Sequence, residues 1–369
     1  MIIFDRNTPF NQLPFLPPED DHIYNKEVLL LLAKSSRSLG KLDGISRKLP
    51  NPLMLINTIS LQEAKSSSEI ENIFTTDDEL YKAISTTDTK ISPAAKEVLR
   101  YRESLWTGVD HVNSGKNIDL NIIIRIFQCI KQTRTGIRPD QSNVRIVKSG
   151  SNLSSGQVVY TPPKGDIIIN GLIKNLLAFI NDDKQYNIDP LIKMALSHYQ
   201  FEAIHPFTDG NGRAGRILNI LVLMNKGLLV YPIFYLSKHI IRNKDSYYHY
   251  LNSVSSRGDW KNWLKFMLNA VYITAEFTIR KIEEITEQFE STRKHIDKRI
   301  PKLDYSVIEA IFTQPYIKAI HLVGDKIKSR NTARKYLDQL CDIKVLELRH
   351  IGNENVYINN DLIRILEND

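Results

Sequence analysis

The chain has 369 residues, 42% hydrophobic and 25% charged, with a formal net charge of +7. That length is enough for two or three domains with their own cores, and no apolar run approaches the ~20 residues of a membrane span. Cys129 and Cys341 are distant in the chain and fit a reducing cytoplasm without offering a metal cluster, the opening Met1–Arg6 stretch lacks a signal-peptide pattern, and the mild basicity is spread out, which suits an anionic ligand without arguing for DNA.

Residues 1–20 are proline-rich (Pro9, Pro14, Pro17, Pro18) and are expected to lie irregularly against the body through Phe4, Phe10 and Phe15. A helix is predicted from about Tyr24 to Leu39, stopped by Gly40. Asn51-Pro52 starts another, and Ser60-Leu61-Gln62-Glu63 reads as a capping box for a helix running toward Phe74. Helices follow near Pro93–Val109 and Asp119–Thr133. Gly136 to Pro163 reads as extended, with Val144–Val147 and Gln157–Tyr160 forming a hairpin around a Ser/Gly/Asn turn. Asp189 caps a helix with Pro190 at its first position, and that helix delivers His205. Asp259 caps a helix containing Trp260, Trp263 and Phe266. Ala275–Phe289 is a long amphipathic helix running into the charged stretch Lys294–Arg299. Past Pro301 come helices around Tyr305–Phe312 and Ile317–Leu322, a turn at Gly324 and a helix capped by Ser329. Strands Val345–His350 and Asn355–Ile358 close the chain, an order that resembles a winged helix-turn-helix.

The chemistry is concentrated in one run, His205-Pro206-Phe207-Thr208-Asp209-Gly210-Asn211-Gly212-Arg213-Ala214-Gly215-Arg216. Gly210 and Gly212 let backbone N–H groups approach an anion, and the apolar spacing after Arg213 predicts a helix to Asn225. A glycine-rich loop opening a helix aims free N–H groups and the helix dipole at a phosphate. Arg213 and Arg216 are three apart and can face one end of that helix, where guanidinium forks suit phosphate oxygens. Asp209 offers the hard oxygen that Mg²⁺ prefers. Single members of this run have bland readings as turn or surface residues, but six such residues in one contiguous run point to a site.

This run resembles the Fic family signature, His-x-Phe-x-(Asp/Glu)-Gly-Asn-Gly-Arg-x-x-Arg, at every fixed position, and Ala195–Ile204 resembles the helix before it. The resemblance implies a mainly α protein: a helical core with a β-hairpin flap, a helical N-terminal domain and a C-terminal winged helix. The corresponding domains are 1–92, 93–275, a helical linker 276–300, and 301–369. It implies AMP transfer from ATP to a protein hydroxyl, with His205 as general base and Asp209 holding Mg²⁺ or Mn²⁺. Gly210, Asn211, Gly212, Ala214 and Gly215 would line the nucleotide, and Arg213 and Arg216 would bind the outer phosphates. Related phosphorylating toxins replace the second glycine and the following arginine, so Gly212-Arg213 favours AMP transfer.

Ser67-Ser68-Glu69-Ile70-Glu71-Asn72 matches the family's inhibitory pattern (Ser/Thr)-x-x-x-Glu-(Gly/Asn). The resemblance implies that Ser67 and Glu71 are inhibitory, with Glu71 pairing to Arg216 in the γ-phosphate position. A carboxylate can occupy an arginine fork only when phosphate does not. Val158, Val159 and Tyr160 fall where the family's flap would dock a target strand. Tyr247 and Tyr248 resemble the segment beside the adenosine, with stacking and core packing both open; Tyr250 reads as core. Lys328, Arg330, Arg334 and Lys335 could line a major groove, but Asp338 and Glu347 dilute the patch, so protein contact or dimerisation is at least as well supported as DNA binding.

The resulting expectation is an autoinhibited, cytoplasmic protein adenylyltransferase using ATP and a metal on an unidentified target protein. Self-modification and a homodimer stay open, DNA is not favoured, and no membrane is involved. The alternatives are AMP removal at the same site and a winged-helix DNA-binding regulator with a nucleotide-sensing core.

Overall fold

The computed structural model describes residues 4–49, 51–85, 91–147 and 156–368. The chain runs through α1 (Asp20–Ile23), α2 (Lys26–Ser46), α3 (Leu53–Ile70), α4 (Asp77–Ser85), α5 (Pro93–Asn113) and α6 (Leu120–Lys131). A small hairpin, β1 (Ile146–Val147) and β2 (Val158–Tyr160), precedes α7 (Asp166–Asn181), α8 (Pro190–Ile204), α9 (Asn211–Asn225), α10 (Leu236–Arg242), α11 (Lys244–Arg257) and α12 (Trp260–Arg299). The last part holds α13 (Tyr305–Thr313), β3 (Tyr316–Ile317), α14 (Ala319–Leu322), α15 (Arg330–Asp342), β4 (Glu347–Ile351), β5 (Glu354–Ile358) and α16 (Asn360–Glu367). The fold is mainly helical, with two small antiparallel sheets, β1-β2 and β3-β5-β4.

Side-chain caps start many helices, because the first N–H groups of a helix have no partner inside it. Ser92 accepts from Ala95 N, Asp119 from Ile122 N, Asp189 from Leu191 N and Ser329 from Thr332 N. Pro93 and Pro190 sit in first turns, where a missing N–H costs nothing. α8 is buried on almost every side and pairs with α9, with Trp263 of α12 donating to the Ala195 carbonyl at 2.9 Å. This central pair carries the signature run in the turn between them.

Several expectations are corrected. α2 does not stop at Gly40 but continues to Ser46. Gly40 lies on its solvent face, and packing of Leu39 and Leu42 outweighs a glycine cost of ~1 kcal/mol. Ser60 caps nothing: it is interior to α3, with its hydroxyl turned back to the Asn57 carbonyl, and that helix ends at Ile70, short of Phe74. The two segments anticipated around Trp260 and Ala275 are one 40-residue helix, α12. Ile317 pairs in β3 instead of starting a helix. Phe4 and Phe10 do pack, ring to ring and against Tyr160, but Phe15 is 61% exposed. The Ser/Gly/Asn turn of the hairpin lies outside the described residues.

Candidate active site

His205 ends α8 in the left-handed region, φ +51°. That turn swings the chain out of the helix and is uncommon for a residue with a Cβ. Arg138 holds it: its Nε donates to the His205 carbonyl at 2.8 Å, and its Nη2 bonds the Pro163 carbonyl at the base of the hairpin. The Arg138 backbone N–H also donates to Pro206 O at 2.9 Å. Phe207 then buries its ring, stacked on Phe127 at 4.0 Å. The Asn211 side chain closes the loop, accepting from Phe207 N and donating to Phe207 O, both at 2.9 Å. The Asn211 amide is thus committed to shaping the loop, and only its backbone N–H faces the helix start.

Gly210 opens α9 with φ +77°, and the N–H groups of Asn211, Gly212 and Arg213 begin the helix there. A helix start of this kind favours an anion. Asp209 beside it is exposed, with Oδ2 2.6 Å from Lys131 Nζ and Oδ1 accepting from Gly210 N. Burial of the group raises its pKa, but the Lys131 bond and charge outweigh this and hold it below the usual carboxylate value. One accessible carboxylate suits Mg²⁺, which takes one or two carboxylates and otherwise binds substrate phosphate and water. No group of three or more His, Cys, Asp or Glu side chains able to hold a metal occurs among the described residues.

The two arginines do not point at a common anion. Arg213 Nη1 pairs with Glu97 at 2.7 Å. Arg216 is fully buried, and its guanidinium donates to Ser67 Oγ at 2.8 Å, Ser67 O at 2.9 Å and Glu71 Oε1 at 2.8 Å. Burial pulls the arginine down, and Glu71 more than restores it above its ordinary value. Glu71 caps the end of α3, with Asn72 turning away at φ +62°. Its carboxylate lies where a Cβ on Gly212 would be, so only glycine admits it. Ala214 is buried in the core, and Gly215 packs against Phe201 and Glu202 of α8.

His205 keeps partial exposure, and its pKa is pushed down to about 4, by burial first and also by Arg138, against the Glu202 carbonyl. The imidazole is therefore neutral near pH 7. Its Nδ1 lies 3.3 Å from that carbonyl, the contact that favours a proton on Nδ1 and a lone pair on Nε2.

The two tyrosines separate. Tyr247 is buried, with its hydroxyl 2.8 Å from His198 Nε2, whereas Tyr248 is 42% exposed. Val158 and Val159 are half-buried, and Tyr160 is buried with its hydroxyl on the Ala203 carbonyl at 2.9 Å. Four residues without a role in the sequence reading belong here: Arg138, Lys131, His198 and Glu202. Glu202 and His198 lie in the helix quoted for its resemblance, but only the fold shows that their side chains turn toward α9 and α11. Arg138 and Lys131 carried no local signal, since the His205 carbonyl held by Arg138 and the Asp209 carboxylate held by Lys131 each lie more than 60 residues away.

Three family models match the chain in succession. The Fic/DOC family N-terminal model matches residues 29–110, the Fic/DOC family model 117–223, and the protein adenylyltransferase SoFic-like C-terminal model 288–362. The chain is 34% identical over 88 residues to protein adenylyltransferase fic-1 of Caenorhabditis elegans, covering 22% of this chain and 17% of that protein. It is 29% identical over 127 residues to protein adenylyltransferase Fic of Drosophila mojavensis, covering 34% of this chain and 24% of that protein. It thus spans a quarter or less of the length of these curated relatives. A crystal structure of a Fic family protein from Desulfovibrio desulfuricans G20 shares the fold, with TM-score 0.58 at 18% identity, covering 93% of this chain and 98% of that one.

Proposed function

We propose that this chain, which belongs to the Fic/DOC family, transfers AMP from ATP to a serine, threonine or tyrosine hydroxyl of a target protein. The observation that carries this reading is Arg216: a fully buried guanidinium at an anion-seeking helix start, countered by one partly exposed carboxylate, Glu71. Such a cation holds an anion that can leave.

His205 is the general base. The target hydroxyl oxygen attacks the α-phosphorus, the bond from that phosphorus to its bridging oxygen breaks, and pyrophosphate leaves. The hydroxyl proton passes to His205 Nε2, which its neutral imidazole makes available at pH 7. The backbone of Gly210 through Arg213 faces the phosphates, while Arg216 binds the outer phosphates once Glu71 withdraws and Arg213 does so on leaving Glu97. Asn211 keeps that backbone in shape. Ala214 and Gly215 set the closeness of α9 to its neighbours. Asp209 would hold Mg²⁺ or Mn²⁺, which when bound offsets charge on the phosphates, and Lys131 yields to it. Tyr248 stacks on the adenine and Tyr247 supports it from the core side. Val158 and Val159 offer a strand edge to the target backbone, with Tyr160 anchoring the hairpin.

Ser67 and Glu71 make the resting state inhibited. The proposed units of the chain are 1–92, 93–275, 276–300 and 301–369. The last part, read as a winged helix, recognises a target or a second copy of the chain in preference to DNA. No helix of the described residues is long and apolar enough to cross a membrane. The two unpaired cysteines, Cys129 and Cys341, support a cytoplasmic location.

The test is the intact mass of the purified protein and of candidate targets after incubation with Mg-ATP. Glu71→Gly should gain mass in steps of one AMP, and Glu71→Gly with His205→Ala should gain none while still binding ATP. No AMP adduct on either the protein or a lysate target with Glu71→Gly would overturn the reading. Loss of AMP removal from a pre-modified target in Glu71→Gly would point to the reverse reaction.

A further inference from the structure

α9 carries two glycines three residues apart, and each seats a carboxyl group. A Cβ on Gly212 would collide with Glu71 Oε1, and a Cβ on Gly215 would collide with Glu202 Oε1. Residues three apart share a helix face, so both acids lie along one side of α9. Arg216 follows Gly215 directly and feels the charge of both. Glu71 makes the ion pair at 2.8 Å. Glu202 Oε1 is enclosed and has no hydrogen-bond partner among the described residues. An enclosed polar atom left without a partner is costly, so its presence beside a buried cation calls for a role.

We propose that Glu202 is the alternate counter-ion of Arg216, a positioning residue that neutralises the guanidinium whenever neither Glu71 nor a nucleotide phosphate does. The inference rests on reading Arg216 as a phosphate ligand. A buried guanidinium is always charged, and leaving it uncompensated is strongly unfavourable. While Glu71 is paired, a second anion alongside is repelled, so Glu202 keeps its proton. Its pKa is raised to about 7, by burial first, with Glu71 adding to the rise and Arg216 opposing it. When Glu71 withdraws, the repulsion ends and the attraction of Arg216 remains, so Glu202 gives up its proton and becomes the partner. An arriving phosphate restores the repulsion, and Glu202 takes the proton back.

Other titratable groups surround this acid and Arg216, among them Glu63 of α3, which burial raises and Ser237 and Arg216 hold down. Tyr247 and Tyr248 from α11 are both raised above the ordinary phenol value. His198 and His205 on its own helix are lowered to about 3 and about 4. Lys244, at the start of α11, faces Glu71 and Arg216 and is lowered from the usual lysine value, mainly by burial. Anion binding at Arg216 is therefore coupled to proton uptake by Glu202, and nucleotide affinity falls as pH rises through the neutral range.

The test uses the full chain carrying Glu71→Gly, to remove the competing carboxylate, and His205→Ala, to stop transfer. Mg-ATP binding is measured by calorimetry from about pH 6 to about pH 8.5, in buffers of differing ionisation enthalpy, with and without Glu202→Gln. Glutamine keeps the shape of the neutral acid, and the titration of ATP itself is common to both proteins. With Glu202 present the affinity should fall by up to about tenfold per pH unit, the ceiling for one proton, with net proton uptake. With Glu202→Gln the slope and the uptake should both shrink by that contribution. Thermal unfolding checks that the variant is folded, and Glu202→Ala serves if it is not. Equal slopes and equal uptake in a folded pair would overturn the inference. Failure of the parent to bind ATP at any pH would instead overturn the reading of Arg216 itself.

Discussion

Glu71 and Arg216, 145 residues apart in the chain, meet at 2.8 Å, and the carboxylate fills the space above Gly212 that a Cβ there would occupy. The end of α3 and the start of α9 are thus two halves of one lock.

Glu71→Gly should raise ATP affinity and AMP transfer together. A charge-assisted contact to a buried guanidinium is worth ~1.5–3 kcal/mol, and the third of Glu71 that stays exposed argues for the low end, a gain of roughly tenfold. Calorimetry gives the affinity and labelled ATP the transfer. An unchanged affinity would mean that the carboxylate does not compete with nucleotide.

Gly212→Ala should fail in both states. The methyl would strike the Glu71 carboxylate and Arg216, and it would hold phosphate off the helix start. Overpacking at such a site costs about 1–3 kcal/mol of stability, and ATP affinity should drop roughly tenfold or more. A variant that binds ATP as tightly as its parent would detach this helix start from the phosphates.

Acid should destabilise the fold through His198. Its pKa is lowered to about 3, first by burial and then by the charge of Arg216, whereas an unfolded imidazole titrates near 6.5. As pH falls, the unfolded chain takes the proton first. The contribution is complete above about pH 6.5 and is lost toward about pH 3, with a slope of up to about 1.4 kcal/mol per unit. His205 acts with the same sign down to about 4. Urea midpoints at about pH 7, 6 and 5 should fall steadily, and His198→Gln should flatten that trend whatever it costs at pH 7.

Tyr316 ties the last part of the chain to the helix that follows Glu71. Its hydroxyl donates to Asp78 at 2.6 Å, its carbonyl accepts from Ser85 Oγ at 2.8 Å, and its ring packs on Tyr81. Tyr316→Phe should cost ~1 kcal/mol and Tyr316→Ala ~3–5 kcal/mol. Hydrogen exchange across residues 67–80 should quicken in the alanine variant, and transfer should rise as Glu71 loosens. Removing 301–369 should do the same more strongly, because α13 packs on α3. Exchange rates in 67–80 that do not respond would uncouple the two regions.

The motif run was legible because its residues are neighbours and their chemistry is local: glycines, a histidine before proline, two arginines. Glu71 was legible as a pattern and its pairing with Arg216 as what the resemblance implies, but the geometry of that meeting is a product of the fold. Glu202 was unreadable in any role, since a glutamate on a helix is ordinarily solvated and only the close approach of Gly215 encloses it. Gly40 and Ser60 misled because glycine and serine are stop and start signals in isolation, yet a buried neighbouring face keeps a helix running through them. α4 and α7 have no place among the predicted elements, and their buried faces are set by the helices they pack on. Tyr247 and Tyr248 could not be told apart by type, and exposure alone separates them.

The unbroken run of α12 has a consequence for how a target arrives. At 1.5 Å per residue its 40 residues reach about 60 Å. Its first turn is seated on α8 through Trp263, and its middle holds the last helix, with Lys281 on the Ile365 carbonyl and Gln288 on Asp361. The strut is unbroken from Trp260 to Arg299, and the non-helical residues 300–304 join it to α13. If a target binds the exposed face of α15, as the proposed function has it, the length of α12 sets the distance from there to His205. Selection among targets then falls to reach as much as to affinity: a hydroxyl on a segment too short to span the gap escapes modification however tightly its owner is held.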